Sequence, residues 1–378
     1  MDKKIFIIAG EASGDMHGFS LAKALKKINP EIEIYGMGGE KMRQAGVEII
    51  FDSPYLAVTG FTEVLKNLGK FREAFRLLSE KLVQIKPDAV ILIDYPGFNL
   101  RFAKKVKELN LKLIYYISPQ IWAWWQSRVK IISRYVDKML VVFKFEEDFY
   151  KKLNINVDFV GHPLIDNLAN YVPEKGKLFD EFSLNKEEEI IALLPGSREN
   201  EVKNILPVML EATQIIKTKL KNVKFLICRS STVKKEIYLR IARKYNQENL
   251  VWLDDRTYDC ISLCDFTLVC SGTATLEVAI LLKPMAVIYK MSLLSYLIAR
   301  SLIKVRHIGL VNIIAQKKLV SEFIQFSAQP KKIAGYTLQV LSDSYLRKEI
   351  EAGLLEVKKK LGPPGASQRA AEKIMQNL

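Results

Sequence analysis

The 378-residue sequence predicts an α/β protein made of two successive series of alternating strands and helices. Short, continuous apolar runs recur along the chain, as expected for strands that are buried on both faces of a parallel sheet. Segments with helical spacing separate these runs, and a polar segment at residues 169–186 interrupts the alternation. The pattern therefore predicts two Rossmann-like domains in tandem, at residues 1–168 and 187–360, joined by that polar linker.

Eleven segments have the composition of buried strands. In the first series they lie at residues 4–10, 31–37, 88–94, 112–118, 138–143 and 157–162, with helical spacing at residues 18–28, 61–85, 98–109 and 145–153. In the second series they lie at residues 190–196, 224–229, 250–255, 266–272 and 285–290. The sequence GPPG at residues 362–365 interrupts the helical C-terminus, because proline does not continue a helix. We therefore expect a last helix at residues 366–378 that packs back on the first domain.

The composition is that of a globular protein with an excess of positive charge. Lysine and arginine total 57, and aspartate and glutamate total 42, which gives a net charge of +15. The four cysteines form no CxxC pair, so we expect neither a disulfide framework nor a zinc ribbon, and a reducing cytoplasm fits. The three histidines are far apart in sequence, which disfavours a histidine-rich metal site. The apolar run near the N-terminus is too short for a signal peptide.

Part of the positive charge lies in one stretch without acidic residues. No aspartate or glutamate occurs between Glu277 and Glu322, although that stretch contains several lysines and arginines. A basic surface can bind nucleic acid, anionic lipid or a phosphorylated substrate, or it can simply be solvated. Its uncharged runs, such as residues 291–299, are too short to span a bilayer, so a membrane contact would lie at the surface.

Ligands of parallel α/β sheets bind at the carboxyl ends of the strands, so the loops there are the candidate sites. After the first strand, residues 9–18 contain neither GxGxxG nor a P-loop, but they carry two carboxylates, Glu11 and Asp15. Either Ser13 or Asp15 caps the following helix, or these acids accept hydrogen bonds from sugar hydroxyls. Asp94 ends the third predicted strand, where an acid is costly unless it is paired or functional, and both interpretations stay open.

The loop after the fourth predicted strand is rich in tryptophan. It reads SPQIWAWWQSR at residues 118–128, with three tryptophans in four positions. Aromatic rings that carry a polar group are a common surface for sugars and acyl chains, although such rings also pack in protein cores. The residues considered for the acceptor and lipid side are Ser118, Gln120, Trp122 and Trp124.

Two loops of the second domain have the character of phosphate sites. The first, LLPGSRENEV, opens a helix after a strand, so we expect backbone N–H groups near Ser197 and Arg198 to face an anion. The Arg198 guanidinium adds a bidentate donor, and in the second loop, CSGTATLE, the Glu277 carboxylate could accept both ribose hydroxyls. The residues considered for nucleotide binding are Pro195, Gly196, Ser197, Arg198, Ser271, Gly272, Thr273 and Glu277. The absence of a Walker lysine and of an Asp-x-Asp motif favours a nucleotide diphosphate that is held without metal.

Nine motifs, taken in order, resemble the lipid A disaccharide synthase family. They are AGEASGD, GGEKM, LAVTGFTEVL, IDYPGFN, SPQIWAW, FVGHPL, LLPGSR, SGTATLE and LVN, and the resemblance runs in register from residue 3 to about residue 375. It implies an inverting glycosyltransferase of the GT-B type, with the active site in the cleft between the domains. The implied reaction transfers 2,3-diacylglucosamine from UDP to the 6-hydroxyl of 2,3-diacylglucosamine 1-phosphate, which yields the β-1,6-linked disaccharide 1-phosphate and UDP. The resemblance implies neither a metal nor another cofactor.

The resemblance also implies roles for single residues. Asp94 and Glu11 fall on the acceptor side, with Asp94 the first candidate for the general base and Glu11 the second. The residues that fall on the UDP side are Arg198, the turn at residues 271–273, Glu277 toward the ribose, and Asn312 beside the active site. His17 stands where the family has no fixed residue, and we assign it no catalytic role.

The resemblance implies a protein that works at the cytoplasmic face of the inner membrane, where its acylated substrates lie. We expect two surfaces to contact anionic lipid, residues 61–78 and residues 281–306. The first surface is more polar than the apolar membrane patch that the family can carry there, because it contains Lys66, Asn67 and Lys70. The resemblance also suggests a homodimer.

Three other functions fit part of these observations. A UDP-N-acetylglucosamine epimerase or another lipid-linked glycosyltransferase would share the fold and the nucleotide loops, but not SPQIWAW. A nucleic-acid-binding protein would explain the charge, but the sequence has no recognition motif, and we expect no nucleic acid partner. A nucleotide-binding regulator without catalysis would not need acids at the strand ends.

Overall fold

The computed structural model describes residues 3–52, 68–122, 128–169, 171–293, 296, 300 and 306–378. The chain forms two compact units, Met1–Asp166 with Leu361–Leu378, and Asn167–Lys360. The polar segment at residues 169–186, expected to be a linker, belongs to the second unit and contains a helix. The Tyr171 hydroxyl donates a hydrogen bond to the Asp259 carboxylate at 2.6 Å, which ties this segment to the second unit.

The first unit is built on a seven-stranded sheet whose neighbouring strands are parallel. Its strands are β1 (Lys4–Ala9), β2 (Glu33–Gly38), β3 (Glu48–Asp52), β4 (Ala89–Ile93), β5 (Lys112–Tyr116), β6 (Lys138–Val141) and β7 (Val157–Phe159), in the order β3-β2-β1-β4-β5-β6-β7. The helices described along this part of the chain are α1 (Ala12–Ile28), α2 (Glu40–Gln44), α3 (Leu68–Ile85), α4 (Pro96–Glu108), α5 (Val129–Tyr135), α6 (Lys144–Lys151) and α7 (Pro163–Ala169).

Continuous apolar runs form the buried centre of this sheet. β1 and β4 pair in register, with Ala9 opposite Ile93, and every residue of β4 is buried. α4 begins at a proline, which suits the first turn of a helix, and then turns Phe98, Phe102 and Val106 toward the core. The four-residue spacing of these three side chains keeps them on one face of the helix, so the sequence pattern explains how α4 covers the sheet.

The second unit is built on a six-stranded sheet, again with parallel neighbours. Its strands are β8 (Glu189–Leu194), β9 (Val223–Arg229), β10 (Leu250–Asp254), β11 (Phe266–Cys270), β12 (Met285–Tyr289) and β13 (Ser321–Ile324), in the order β10-β9-β8-β11-β12-β13. The helices described along this part are α8 (Lys175–Glu181), α9 (Glu199–Lys217), α10 (Lys235–Ala242), α11 (Thr257–Leu263), α12 (Ala274–Ile280), α13 (Leu310–Ala315), α14 (Pro330–Ser342) and α15 (Ser344–Lys360).

The last helix, α16 (Ala366–Met375), belongs to the first unit and packs on α1. The Asp166 carboxylate accepts hydrogen bonds from the backbone N–H groups of Gly365, Ala366 and Ser367, at 2.6 to 3.1 Å. These groups have no partner within a helix, so Asp166 caps α16. The Arg369 guanidinium adds hydrogen bonds to three backbone carbonyls nearby.

The structure confirms the predicted fold class, two Rossmann-like sheets with helices. All eleven predicted strands are present, although several end earlier than predicted. The analysis missed two strands, β3 and β13, and each of them lies at an edge of its sheet. Both are short and only partly buried, so neither has the continuous apolar run that marks the central strands. In the described part of the chain, no helix has the length and apolar character that crossing a membrane requires.

Candidate functional site

The strand order of each sheet reverses at one place. In the first unit it reverses between β1 and β4, and in the second between β8 and β11. Open α/β sheets usually bind ligands at such a switch point, outside the carboxyl ends of the strands. Glu11 and Asp94 closely follow β1 and β4, and residues 195–198 and 271–273 follow β8 and β11. The predicted site residues therefore form two groups, one at the switch point of each unit.

Asp94 lies in a strained stretch of backbone. Asp94 and Tyr95 have φ values of 44° and 45°, in the left-handed region that residues other than glycine seldom adopt. The buried Asn99 side chain holds this turn, because its amide donates hydrogen bonds to the carbonyls of Ile93 and Asp94 at 3.1 and 2.7 Å. The Tyr115 hydroxyl donates to the same Asp94 carbonyl. Two consecutive strained residues, each costing about 1–3 kcal/mol, fit a position where function fixes the backbone.

Tyr95 joins the loops that carry Asp94 and Glu11. Its ring fills the space that a side chain at Gly10 would need, since a Cβ there would lie 2.0 Å from the ring. Burial raises the pKa of the Tyr95 hydroxyl, and the nearby Glu11 carboxylate raises it further. Glu11 and Asp94 are both partly exposed, so their carboxyl groups can meet a ligand.

Asp15 has a structural role. Its carboxylate accepts hydrogen bonds from the backbone N–H groups of Gly39, Lys41 and Met42 at 2.7, 3.1 and 3.0 Å. Asp15 lies on α1, but its side chain caps the neighbouring helix α2 and not α1. The GGEKM motif owes its conformation to this contact.

The tryptophan-rich loop is anchored inside the first unit. Ser118 and Trp122 are buried, and their polar groups are bound within the unit: Ser118 Oγ lies 2.7 Å from the Tyr150 hydroxyl, and Trp122 Nε1 donates to Glu146 at 3.0 Å. Their polar groups therefore support the loop instead of facing a ligand. Gln120 is exposed. Trp124 lies outside the described residues.

Glu146 is a buried acid that the sequence analysis did not single out. Its side chain is fully buried, and burial raises its pKa to about 8, against the opposing effect of hydrogen bonds from Trp122 and from the Phe143 backbone. The Asp94 carboxyl raises the pKa further. Glu146 is therefore mostly neutral at pH 7 and lies close enough to Asp94 to interact with it. Its position soon after the apolar strand β6 was a signal that could have identified it.

Two histidines of the first unit are uncharged near neutral pH. Burial lowers the pKa of His17 to about 4 and that of His162 to about 3. His162 Nδ1 accepts a hydrogen bond from the Leu164 backbone at 3.2 Å, so this ring has a structural partner. Within the described ranges, no group of three or more His, Cys, Asp or Glu side chains is placed to hold a metal ion.

The first phosphate-type loop of the second unit binds a carboxylate of its own helix. The backbone N–H groups of Ser197 and Arg198 both donate to Glu201 Oε2, at 3.1 and 3.2 Å. Arg198 Nη1 lies 3.2 Å from Glu201 Oε1. A carboxylate of α9 thus lies where the sequence predicts an anion. Gly196, with φ of 115°, supplies the turn that precedes it.

The second phosphate-type loop lies beside the first. Burial raises the pKa of the Cys270 thiol at the end of β11. The Glu201 carboxylate raises this pKa further, whereas the Arg198 guanidinium lowers it. Because both charges act on this thiol, both side chains lie near the end of β11. Gly272 has φ of 148°, and no neighbouring atom lies close to the position that a Cβ would take there. Thr273 is exposed. The Ser271 hydroxyl, in contrast, donates to the Ile308 carbonyl at 3.1 Å.

A pocket of about 290 Å³ lies next to Glu277. It is lined by Tyr171, Asp255, Arg256, Thr257, Tyr258, Asp259 and Glu277. Burial raises the pKa of Glu277 to about 7, while a hydrogen bond from the Tyr258 hydroxyl, 3.4 Å long, opposes that shift. The pocket thus combines an aromatic ring, a guanidinium and a carboxyl group that titrates near neutral pH.

Asn312, predicted to bind the nucleotide, is fully buried and saturated with hydrogen bonds. Its amide nitrogen donates to the Val320 carbonyl and to Glu322, at 2.9 and 2.8 Å. Its amide oxygen accepts from the backbone N–H groups of Leu319 and Val320. An asparagine side chain offers two donors and two acceptor positions, so Asn312 has no hydrogen-bonding capacity left for a ligand. Its role in the structure is to hold the start of β13.

The structure resembles solved nucleotide-sugar enzymes over almost its whole length. A UDP-GlcNAc 2-epimerase from Neisseria meningitidis, bound to UDP-GlcNAc, matches with a TM-score of 0.66 at 12% identity and covers 99% of this chain and 100% of its own. CalG4, the calicheamicin glycosyltransferase, matches with a TM-score of 0.62 at 12% identity and covers 99% of this chain and 98% of its own. These likenesses establish the GT-B fold.

Sequence relatives are much more similar. The family model described as lipid-A-disaccharide synthetase matches residues 5–376. A lipid-A-disaccharide synthase of Syntrophus aciditrophicus is 43% identical and covers 98% of this chain and 96% of its own; that of Geobacter sulfurreducens is 40% identical and covers 99% and 97%. The Nitrosococcus oceani synthase is 43% identical over 97% of this chain and 94% of its own. These matches confirm the resemblance found in the motifs, and the chain belongs to the lipid-A-disaccharide synthase family.

Proposed function

We propose that this glycosyltransferase of lipid A biosynthesis joins UDP-2,3-diacylglucosamine to the 6-hydroxyl of 2,3-diacylglucosamine 1-phosphate. The products are the β-1,6-linked disaccharide 1-phosphate and UDP. Membership of the family supports the reaction class. The observation that carries the proposal for this chain is the contrast between its two switch points, with partly exposed acids in the first unit and an arginine beside backbone donors in the second.

Asp94 is the proposed general base. The acceptor hydroxyl attacks the anomeric carbon of the donor, the bond from that carbon to the UDP oxygen breaks, and the hydroxyl proton passes to the Asp94 carboxylate. A single displacement of this kind inverts the configuration, so an α-linked donor gives a β-linked product. The fixed turn at Asp94 supports this role, because Asn99 and Tyr115 hold the backbone that presents the carboxyl group. Glu11, beside Tyr95, is the second candidate.

Arg198 and the surrounding loops are the proposed site of the diphosphate. The amides of Ser197 and Arg198 lie at the positive end of α9, a helix of 19 residues, and now bind the Glu201 carboxylate. These hydrogen bonds to a carboxylate support the proposal that the loop holds an anion. In the proposed complex the diphosphate replaces Glu201 at the amides, Arg198 turns to the phosphate, and residues 271–273 contribute donors from the neighbouring loop.

The pocket beside Glu277 is the proposed nucleoside site. A carboxylate is a good acceptor for two ribose hydroxyls, and the Tyr258 ring offers an apolar face for the base. Asn312 contributes indirectly in this proposal, by holding the chain at β13. The proposal includes neither a metal nor another cofactor, so Arg198 and the helix terminus carry the stabilisation of the departing UDP.

The lipid substrates require contact with a membrane surface, which we place at the cytoplasmic face of the inner membrane. The proposed contacts are residues 61–78 and 281–306, of which residues 61–67, 294–295, 297–299 and 301–305 lie outside the described part. Lys290 and Arg300 belong to the stretch without acidic residues, so replacing both with glutamate should weaken binding to anionic vesicles at low salt. Unchanged binding would remove this surface from the proposal.

We also propose a homodimer, which sedimentation of the purified protein would test.

A direct assay tests the reaction. Purified full-length protein is incubated with UDP-2,3-diacylglucosamine, with and without 2,3-diacylglucosamine 1-phosphate, and UDP release is followed. We expect release only with the acceptor, and NMR of the product should show a β-1,6 linkage. UDP release without acceptor would indicate a hydrolase, and conversion of UDP-N-acetylglucosamine to its 2-epimer would indicate an epimerase. Either result without disaccharide formation would overturn the proposal.

A further inference from the structure

Residues 306–309, here called the strap, lie between the second phosphate-type loop and a single acid, Glu322. Glu322 lies on the edge strand β13, and only 7% of its side chain is exposed. Its Oε2 accepts the Ile308 N–H at 3.0 Å, and its Oε1 accepts the Gly309 N–H at 3.1 Å. The strap therefore depends on both oxygens of one carboxylate.

The network around Glu322 extends in two directions. Oε1 also accepts a hydrogen bond from the Asn312 amide at 2.8 Å and lies 3.8 Å from His307 Nδ1. On the other side of the strap, the Ile308 carbonyl accepts the Ser271 hydroxyl. Gly309 fits closely, since a Cβ there would lie 3.2 Å from Glu322 and 3.3 Å from Val287. The strap thus has one fixed position, between Glu322 and the loop that contains Ser271.

We propose that Glu322 is a positioning residue, which holds the strap so that Arg306 and His307 face the diphosphate end of the nucleotide site. Arg306 is exposed and His307 partly exposed, so their polar side chains are available to a ligand. The strap is bonded to Ser271, directly before the open turn at Gly272. This inference rests on the proposed nucleotide site, but it assigns the site a third element beyond Arg198 and residues 271–273.

The substitution Glu322→Gln tests the role of the carboxylate with little change in shape. Three N–H groups, from Ile308, Gly309 and Asn312, point at two carboxylate oxygens. A glutamine has one acceptor oxygen, so at least one donor would face an NH₂ group, and the negative charge of the carboxylate would be lost. The strap should then lose its fixed position.

Calorimetric titration of the full-length protein with UDP and with uridine separates the possible roles. For Glu322→Gln we expect the affinity for UDP to fall about 10-fold or more, while the affinity for uridine stays unchanged, because uridine lacks the diphosphate. The control is Asp265→Asn. Its carboxylate accepts the Ile190 N–H at 2.9 Å at the start of β8, the opposite end of the sheet, and this variant should bind UDP normally.

Arg306→Gln provides a second test that does not depend on a buried residue. The affinity for UDP should fall, its dependence on salt should become shallower, and uridine binding should not change. Normal UDP binding by a folded Glu322→Gln protein would overturn the inference and leave the proposed function intact. A parallel loss of UDP and uridine binding would also overturn it, as a general structural effect. If Glu322→Gln does not fold, normal UDP binding by Arg306→Gln overturns it. A wild-type protein that binds neither ligand would instead overturn the nucleotide site itself.

Discussion

The two units have the same strand order but carry opposite chemistry at the corresponding place. Each sheet has its first strand between its second and fourth, so each has a switch point after the first and fourth strands. In the first unit that point holds carboxyl groups, Glu11 and Asp94, with the buried Glu146 nearby. In the second it holds Arg198 and a set of backbone donors. The shared topology thus creates the same switch point in both units, and the loop residues give it an acidic character in the first and a basic, donor-rich one in the second.

The units also differ in how their sites are held. In the first unit, two left-handed residues and the hydrogen bonds of Asn99 fix the turn at Asp94 before any ligand arrives. In the second, Glu201 occupies the donors that a diphosphate would need. In the proposed function, the first site is therefore preorganised, whereas the second exchanges an internal anion for an external one. Changes in the two units should have different effects on turnover and on UDP binding.

The largest effect is expected for Asp94→Asn. This change removes the proposed base and keeps the shape of the side chain, so turnover should fall by about 100-fold or more. UDP affinity should remain normal, because the residues proposed to bind the nucleotide lie in the other unit. Steady-state assays and UDP titration measure the two quantities. Glu11→Gln serves as the comparison, and normal turnover of Asp94→Asn would exclude Asp94 as the base.

Arg198→Gln should reduce turnover by about 100-fold and weaken UDP binding as well. The guanidinium is proposed to stabilise charge on the departing diphosphate, and this interaction acts in the bound state and in the transition state. The combined loss would distinguish this variant from Asp94→Asn, which affects turnover alone. Steady-state assays measure the turnover, and UDP titration measures the affinity. An Arg198→Gln enzyme that binds UDP normally would place the diphosphate elsewhere.

Glu277 should make nucleoside binding depend on pH. Burial raises its pKa to about 7, so the carboxylate is present above that pH and becomes protonated below it. Because the ionised form is the better acceptor for ribose hydroxyls, uridine affinity should fall as the pH falls through about 7. Uridine is the suitable probe, since the phosphate groups of UDP titrate in the same range.

The matched variant for this measurement is Glu277→Gln. Its amide does not titrate, so uridine affinity should be lower at pH 8, by about 10-fold, and should no longer change through pH 7. Tyr258→Phe, which removes the hydroxyl that donates to Glu277, keeps the titrating group. An identical pH profile in the wild type and in Glu277→Gln would show that Glu277 does not contact the ribose.

The sequence predicted the central strands and which residues follow their carboxyl ends, because both depend on local patterns. Apolar runs identify buried strands, and the carboxyl ends of those strands locate Glu11, Asp94 and Arg198. The edge strands β3 and β13 were missed because they are short and partly exposed. Glu322 was missed for the same reason, since it lies on β13.

The bonding partners of the site residues were less predictable. The amides of Ser197 and Arg198 were expected to face an anion, but the pattern did not indicate that the Glu201 carboxylate accepts their hydrogen bonds. Asn312 was expected to contact the nucleotide, but all its hydrogen-bonding capacity is used by β13 and its neighbours. Both outcomes depend on where a side chain turns after the backbone has folded, which a spacing pattern does not encode.

Glu201→Gln should have the smallest effect. It should raise the affinity for UDP, whereas the other substitutions should lower turnover or ligand affinity. The substitution removes the negative charge that competes with the diphosphate, so UDP affinity should rise a few-fold. It also weakens the cap of α9, so the free energy of unfolding should fall by about 1 kcal/mol. Calorimetric titration and chemical denaturation measure these two changes.

Glu199→Gln is the matched control, because it makes the same charge change in the same turn. Glu199 pairs with Lys203, at 2.5 Å, and is not among the acceptors of the Ser197 and Arg198 amides. If both variants bind UDP equally well, the gain comes from net charge alone, and the contrast between a preorganised first site and a self-occupied second site would not hold. A gain confined to Glu201→Gln would show that the second unit binds its ligand by displacing its own carboxylate.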